Sequence, residues 1–152
     1  MFFTVHASVG AVLADTVGDE SLGFTSGFLS HFFLDAVPHG DEAIGKFFSD
    51  GKHNGWLAVL LLIDLTTAFA VLTLFWMNGF IRNPVAAYAG ALGAVLPDIL
   101  SGVTVVSRNK LWPSFTNLHN SVHRLFGQEF SISSGYVIQI AVFASVWLAA
   151  RL

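Results

Sequence analysis

Cysteine is absent from this chain of 152 residues, and charged residues are scarce. Without thiols neither disulfides nor thiolate metal sites can form, so any metal must be held by nitrogen and oxygen ligands. Charged residues make up 11% of the sequence, whereas a soluble domain averages about 25%. The net charge is −3 and basic residues form no run, which argues against nucleic acid as a partner.

Apolar residues take the place of the missing charges, at 54% of the sequence with 15 Phe and 4 Trp. The segments 55–77 and 84–106 exceed the ~20 residues that a helix needs to cross the hydrocarbon of a bilayer. A third segment, 131–150, is less apolar at its start. The stretches 2–14 and 22–37 are shorter, and form either thin spans or a re-entrant hairpin. We therefore expect an all-α integral membrane bundle with about five membrane segments and a short interfacial helix.

The whole chain, 1–152, is expected to form one membrane domain whose orientation follows from its Lys and Arg residues. With five spans, one side carries Lys46, Lys52, Arg108, Lys110 and Arg124, and the other carries Arg82 and Arg151. Cytoplasmic loops carry the excess of basic residues. The first side, which includes the N-terminus, is therefore predicted to be cytoplasmic.

The interfacial helix is predicted within SFTNLHNSVHRLFG (114–127). Apolar residues recur there at spacings of three and four and form one stripe, made of Phe115, Leu118, Val122, Leu125 and Phe126. A short helix of this kind lies in the membrane interface, here on the cytoplasmic side.

Histidine and aspartate recur at this same cytoplasmic face. Seven of these side chains are candidate metal ligands: His6, His31, Asp35, His39, Asp98, His119 and His123. Five of the six histidines are among them, although the topology was derived without them. His53 is the one histidine left outside.

The spacing of these residues supports a shared site. His31 and Asp35 are four residues apart, so both project from one face of a helix. His119 and His123 repeat that spacing, by which one helix offers two imidazoles to one metal. Asn120 occupies the position of the glutamate of an HExxH motif, so the zinc-protease interpretation fails.

Two prolines shape the same region, and each polar group also has a structural interpretation. Pro38 ends the second segment and turns His39 back toward its end, whereas Pro97 loosens the helix beside Asp98. Taken singly, an imidazole or carboxylate here can be a hydrogen-bonded structural group. Ionisable groups inside a membrane are costly and mark functional sites, so together they predict a metal site. Asp64, in mid-span, either orients a ligating histidine or makes a helix-packing hydrogen bond with Thr66 or Thr67.

Four short motifs resemble a known group: TVHASVGAVLA, GFLSHFFLDAVPHGD, GALGAVLPDIL and LHNSVHRLF. They are similar to small bacterial inner-membrane proteins described as membrane-bound metal-dependent hydrolases, the YdjM-like group and its relatives. That group has a THxxxG-like element, an LPDxD element and an HRGxTH element. His6 with Gly10 matches the first, Leu96–Pro97–Asp98 the second, and His119 with His123 the third in spacing only.

The chain departs from that pattern at several positions. Ser101 or Leu100 stands where a second Asp is expected, and Asn120–Ser121 replaces Arg–Gly. The stretch HFFLDAVPHGD is closer to a shorter branch with HFxxDxxPH motifs. The resemblance implies metal dependence and a location in the bacterial inner membrane.

The predicted function is that of a membrane-embedded metal-dependent hydrolase acting on a lipid phosphoester at the cytoplasmic face. One or two divalent ions are expected, Zn first and Mn or Fe as alternatives, because His and Asp ligands suit them. Asp98 and Asp41 are candidate catalytic carboxylates, and Arg124 is a candidate partner for phosphate charge.

The same residues are compatible with other functions. One is a Zn-dependent lipid amidase, although the seven-span proteins of that kind are longer. Another is a non-enzymatic membrane metal-binding or haem-binding protein, with His6 and His31 as axial haem ligands. A third is a small structural membrane protein whose cluster only holds the fold. An oligomer is possible, since small pairs such as Gly90 and Ala94 allow close helix packing.

Overall fold

The computed structural model describes residues 1–40, 54–107, 111–126 and 131–151. Within those ranges the chain forms α-helices and no strand, as the composition predicts. The helices are α1 (Phe3–Val17), α2 (Glu20–Ala36), α3 (Asn54–Met77), α4 (Pro84–Val106), α5 (Pro113–His123) and α6 (Ile132–Ala149).

Three of the described helices are long and apolar enough to cross a membrane, over Ala58–Met77, Pro84–Thr104 and Ile132–Ala149. Helices α1 and α2 have 15 and 17 residues, or roughly 22 and 26 Å at 1.5 Å per residue. A bilayer core is about 30 Å thick. The five predicted spans are therefore not confirmed, and three is the number that length and composition support.

Helices α1 and α2 form an antiparallel hairpin with defined ends. Gly18 ends α1 in the left-handed conformation, with φ of 73°, which glycine adopts without a steric penalty. Asp19 then caps α2 by accepting a hydrogen bond from the Leu22 amide at 2.9 Å. The last residue of α2 precedes Val37 and Pro38, because a residue before proline is disfavoured in the helical conformation. The predicted stop at Pro38 is confirmed.

The hairpin packs against α4 through glycines. A Cβ atom added at Gly10 or at Gly27 would collide with the carbonyl oxygen of Gly90. A Cβ atom added at Gly93 would collide with the backbone of Phe24. Small residues let helix backbones approach closely in this way. The small residues Gly90 and Ala94 thus pack against another helix of the same chain.

Helices α3 and α6 lie at the outside of this core. Half of the α4 span (50%) is buried inside the protein, but only 17% of each of the other two spans is. Near one end the two outer helices approach each other, with ring centroids of Phe75 and Trp147 5.2 Å apart. Toward the opposite end they leave a cavity between them.

Candidate metal centre

A group of polar side chains, here named the His–Asp cluster, surrounds Asp35 in the last turn of α2. Its members are His6, His31, Asp35, His39, Asp98, His119 and His123. The Asp35 carboxylate is fully buried, and five imidazole Nε2 atoms approach its oxygens. Their distances are 2.8 Å for His31, 2.9 Å for His119, 2.9 Å for His123, 3.1 Å for His6 and 3.8 Å for His39. The structure thus brings together all seven predicted ligands.

The local structure explains why these rings meet. His31 and Asp35 share one face of α2, as their spacing predicts. His6 lies in the first turns of α1 and stacks on His31, with ring centroids 4.2 Å apart. Helix α5 turns His119 inward, where it is 3% exposed, while Leu118 of the apolar stripe is 58% exposed. The short helix therefore carries its imidazoles to the cluster and its apolar stripe to the surroundings.

Two histidines are oriented by backbone carbonyl groups. Nδ1 of His31 lies 2.7 Å from the Ala94 oxygen, and Nδ1 of His39 lies 2.6 Å from the Val37 oxygen. A carbonyl oxygen accepts only, so each Nδ1 donates and carries the hydrogen. Histidines that bind metals are held in this manner. In the neutral ring, Nε2 then presents a lone pair to the cluster.

These lone pairs face other acceptors at short range. Nε2 of His31 lies 2.8 Å from Asp35 Oδ2 and 2.9 Å from Nε2 of His119. Such contacts are repulsive unless a proton or a cation lies between the atoms. Buried polar groups without a compensating partner cost free energy. A divalent cation would satisfy several of these atoms at once.

The ligand atoms form two overlapping groups in the part of the chain that the structure describes. The first contains His31, Asp35, Asp98 and His119, and the second contains Asp35, His39 and His123. Within each group all ligand atoms lie within 4.8 Å of one another. Metal–ligand bonds of about 2.0–2.2 Å in a tetrahedron put ligand atoms roughly 3.4 Å apart. These buried His and Asp groups can therefore hold a metal ion.

The amino group of Met1 also reaches the cluster. Its nitrogen lies 3.0 Å from Asp35 Oδ1 and 2.8 Å from His39 Nε2. An ammonium group at this point partly neutralises the carboxylate. A metal ion bound to Asp35 would compete with that charge.

Asp98 lies at the edge of the cluster. Its Oδ1 is 3.4 Å from His119 Nε2 and 3.8 Å from His31 Nε2. Its side chain is 21% exposed, whereas that of Asp35 is fully buried. Of these two carboxylates, Asp98 is the one that solvent or a substrate can reach.

The other predicted residues have different positions. His6 belongs to neither ligand group. Its Nε2 lies 3.1 Å from Asp35 Oδ1, but neither of its buried ring nitrogens has hydrogen-bond geometry to a partner among the described residues. Arg124 is the exposed C-cap of α5. Asp41, the second candidate catalytic carboxylate, and His53 lie outside the described residues.

Two supporting residues escaped prediction from the sequence. Oγ of Ser101 lies 2.8 Å from Nδ1 of His119. In the sequence this position drew attention only because the family pattern has an aspartate there. Gln139 of α6 accepts a hydrogen bond from the Phe2 amide at 2.8 Å and donates one to the His39 carbonyl at 3.3 Å. A lone Gln in an apolar span was the available signal.

Asp64 of α3 makes a helix-packing hydrogen bond, but its threonine partner is Thr4 of α1 rather than Thr66 or Thr67. Its carboxylate accepts hydrogen bonds from the Phe3 amide at 2.6 Å and from the Thr4 amide at 3.1 Å. The Thr4 hydroxyl donates to it as well, at 2.6 Å. Asp64 thus satisfies free amides at the start of α1. The hydroxyls of Thr66 and Thr67 bond to carbonyls of their own helix.

Comparison with family models, with curated proteins and with solved structures finds no match to this chain. Over the described residues, fold and site together define an all-helical structure with three helices long and apolar enough to span a membrane and a buried His–Asp cluster able to hold a metal ion.

Proposed function

We propose that the protein is a membrane-embedded metal-dependent hydrolase acting on a lipid phosphoester. The observation that carries the proposal is the pairing of a four-ligand group with a three-ligand group around one buried aspartate. Structural zinc sites are closed by four protein ligands, whereas catalytic sites keep three and leave a position for water. The group of Asp35, His39 and His123 has three protein ligands, the number found in catalytic sites.

The ligand atoms favour one or two divalent ions, with Zn first and Mn or Fe as alternatives. Asp35 belongs to both groups, so it would bridge two ions or serve two alternative positions of one. A divalent ion here would acidify a bound water and offset phosphate charge. Asp98, partly exposed at the cluster edge, would bind the metal or accept the proton of that water. Arg124 would contribute positive charge from the end of α5.

The distribution of basic residues supports a site toward the cytoplasm. Arg82 contacts Asp15 at the far end of α1, with 3.8 Å between Nε and Oδ2. Arg151 lies at that same end, over the ring of Phe80. The cluster lies near the opposite ends of these helices, on the side to which the sequence assigns more Lys and Arg. We therefore propose the cytoplasmic face of the bacterial inner membrane as its location.

A haem-binding function is less consistent with the cluster. The rings of His6 and His31 stack with centroids 4.2 Å apart, which leaves no room for a haem between them. A non-enzymatic metal carrier and a Zn-dependent lipid amidase would use the same ligands. The products that the protein forms therefore distinguish these two functions from that of a phosphoester hydrolase.

The test is release of phosphate, or of a phosphorylated head group, from vesicles of anionic phospholipid by the purified protein. Release should require added Zn²⁺, Mn²⁺ or Fe²⁺, stop with a chelator, and be lost in Asp98→Asn, since a neutral amide cannot replace a carboxylate ligand or base. Glu20→Gln, at the exposed far end of α2, is the matched control. Fatty acid released from a lipid amide instead would favour the amidase. A metal-loaded protein that releases neither product would contradict both.

A further inference from the structure

The cavity between α3 and α6 has a volume of about 720 Å³. Its walls are mainly apolar, with Leu60, Leu61 and Val71 from α3 and Tyr136, Ile140 and Phe143 from α6. Cavities that bind small ligands have volumes of roughly 300–1,000 Å³. The cavity is thus of a size to hold a ligand.

The cavity lies between two helices that are long and apolar enough to cross a membrane, at the level that the hydrocarbon would occupy. The lining residues of both helices lie within the candidate spans or at their starts. Three of them, Leu60, Leu61 and Ile140, are 49%, 44% and 65% exposed. The cavity therefore opens laterally, at the outer surface of the two helices. Water is scarce at that depth, and lipid chains are the surrounding medium.

One side of the cavity is polar and adjoins the His–Asp cluster. Thr4, Asp64 and Gln139 line it, and Gln139 also donates a hydrogen bond to the His39 carbonyl. Phe2 lines the cavity too, next in the chain to Met1, whose nitrogen contacts Asp35. The wall between cavity and cluster is therefore about one residue thick.

We propose that this cavity binds one acyl chain of a lipid, with the polar end of that lipid directed at the His–Asp cluster. A protein helix is a poor alternative, because a rod 10–12 Å wide would fill the volume in fewer than about two turns. A flexible hydrocarbon chain fits a narrow apolar cavity that opens into lipid. That the bound lipid is also the substrate rests on the proposed function; the binding of the chain does not.

The test uses a monoacylglycerol phosphate with a photoreactive diazirine in its acyl chain, added to the protein in phosphatidylcholine nanodiscs. Leu61→Trp places a large ring in the cavity, whereas Leu62→Trp changes the next residue, which is 64% exposed and does not line it. Excluding about two methylene groups lowers affinity by about tenfold. Labelling should map to α3 and α6 in the unchanged protein and in Leu62→Trp, and fall by that factor in Leu61→Trp. Equal labelling in the two variants would overturn the proposal.

Metal content is measured on the same samples as a check on the fold. Ile140→Trp and Val137→Trp form a second pair on α6, because the first residue lines the cavity and the second does not. This pair decides the outcome if Leu61→Trp loses its metal. Labelling that persists without any phosphate release would keep the chain-binding proposal and reject the hydrolase. Reduced labelling with phosphate release unaffected in both cavity variants would keep the chain-binding proposal and reject the bound lipid as the substrate.

Discussion

The three inner helices, α1, α2 and α4, and the two outer helices, α3 and α6, are packed by different kinds of residue. The hairpin of α1 and α2 meets α4 through Gly10, Gly27 and Gly90, so that backbones touch. Helices α3 and α6 expose most of their length, with 17% of each span buried against 50% for α4. Packing through glycines holds the helices at closely defined positions relative to one another. A site with several ligands requires such definition.

The polar residues follow the same division. Helices α2, α4 and α5, with His39 of the loop after α2, supply every described residue of the two ligand groups. The outer helices supply Asp64 and Gln139, which hold the start of α1 and the loop after α2. The inner part thus supplies the ligands, and the outer part holds in place the segments that carry Met1 and His39.

The largest expected effect is that of Asp35→Asn in the inner part. Asp35 is shared by both ligand groups, and loss of even a residue that only orients a ligand costs 10–100-fold in metal affinity. We expect at least about a hundredfold loss, measured by competition with a chelator. Glu20→Gln on the same helix should leave affinity unchanged. Equal affinities in the two variants would remove Asp35 from the site.

Gly90→Ala should come next, because its new methyl group would collide with the Gly10 backbone and the Ala14 side chain. Overpacking of a core costs about 1–3 kcal/mol, so the thermal unfolding midpoint in detergent should fall. Gly102→Ala lies on the same helix, where an added Cβ meets nothing within 4 Å. If both variants melted alike, the close packing described here would be wrong.

Ser101→Ala tests how His119 is held. The variant leaves Nδ1 without its partner at 2.8 Å, and we expect about a tenfold loss of metal affinity. Ser145→Ala is the control in the outer part, since that hydroxyl bonds only to the Ala141 carbonyl of its own helix. A loss in the control equal to that in Ser101→Ala would contradict a specific role for Ser101.

The smallest expected effect is that of His53→Ala. This histidine is the one that the sequence places outside the cluster, so elemental analysis of the variant should give the metal content of the unchanged protein. Loss of metal in this variant would show that the predicted topology is wrong.

Much of the site could be predicted from the sequence because its signals are local. The four-residue spacing of His31 and Asp35, and of His119 and His123, determines which side chains share a helix face. The turn at Pro38 follows from the geometry of proline. Such features need no knowledge of neighbouring helices.

The remaining features depend on contacts between distant segments. Ser101 and Gln139 acquire their roles only once α5 and the start of α1 lie beside them. Asp64 was recognised as polar in mid-span, but nothing in the sequence identifies the amides of Phe3 and Thr4 as its partners. The number of spans was also not predictable, since α1 and α2 are too short to distinguish a thin span from a buried hairpin.

The most direct test of the metal centre is elemental analysis of the detergent-purified protein, combined with its absorption spectrum, after loading with Zn²⁺, Mn²⁺ or Fe²⁺. The arrangement of the His–Asp cluster predicts at least one divalent ion per chain, bound through His and Asp, with no haem absorption band. A folded protein that binds none of the three ions, or one that carries haem, would contradict the account.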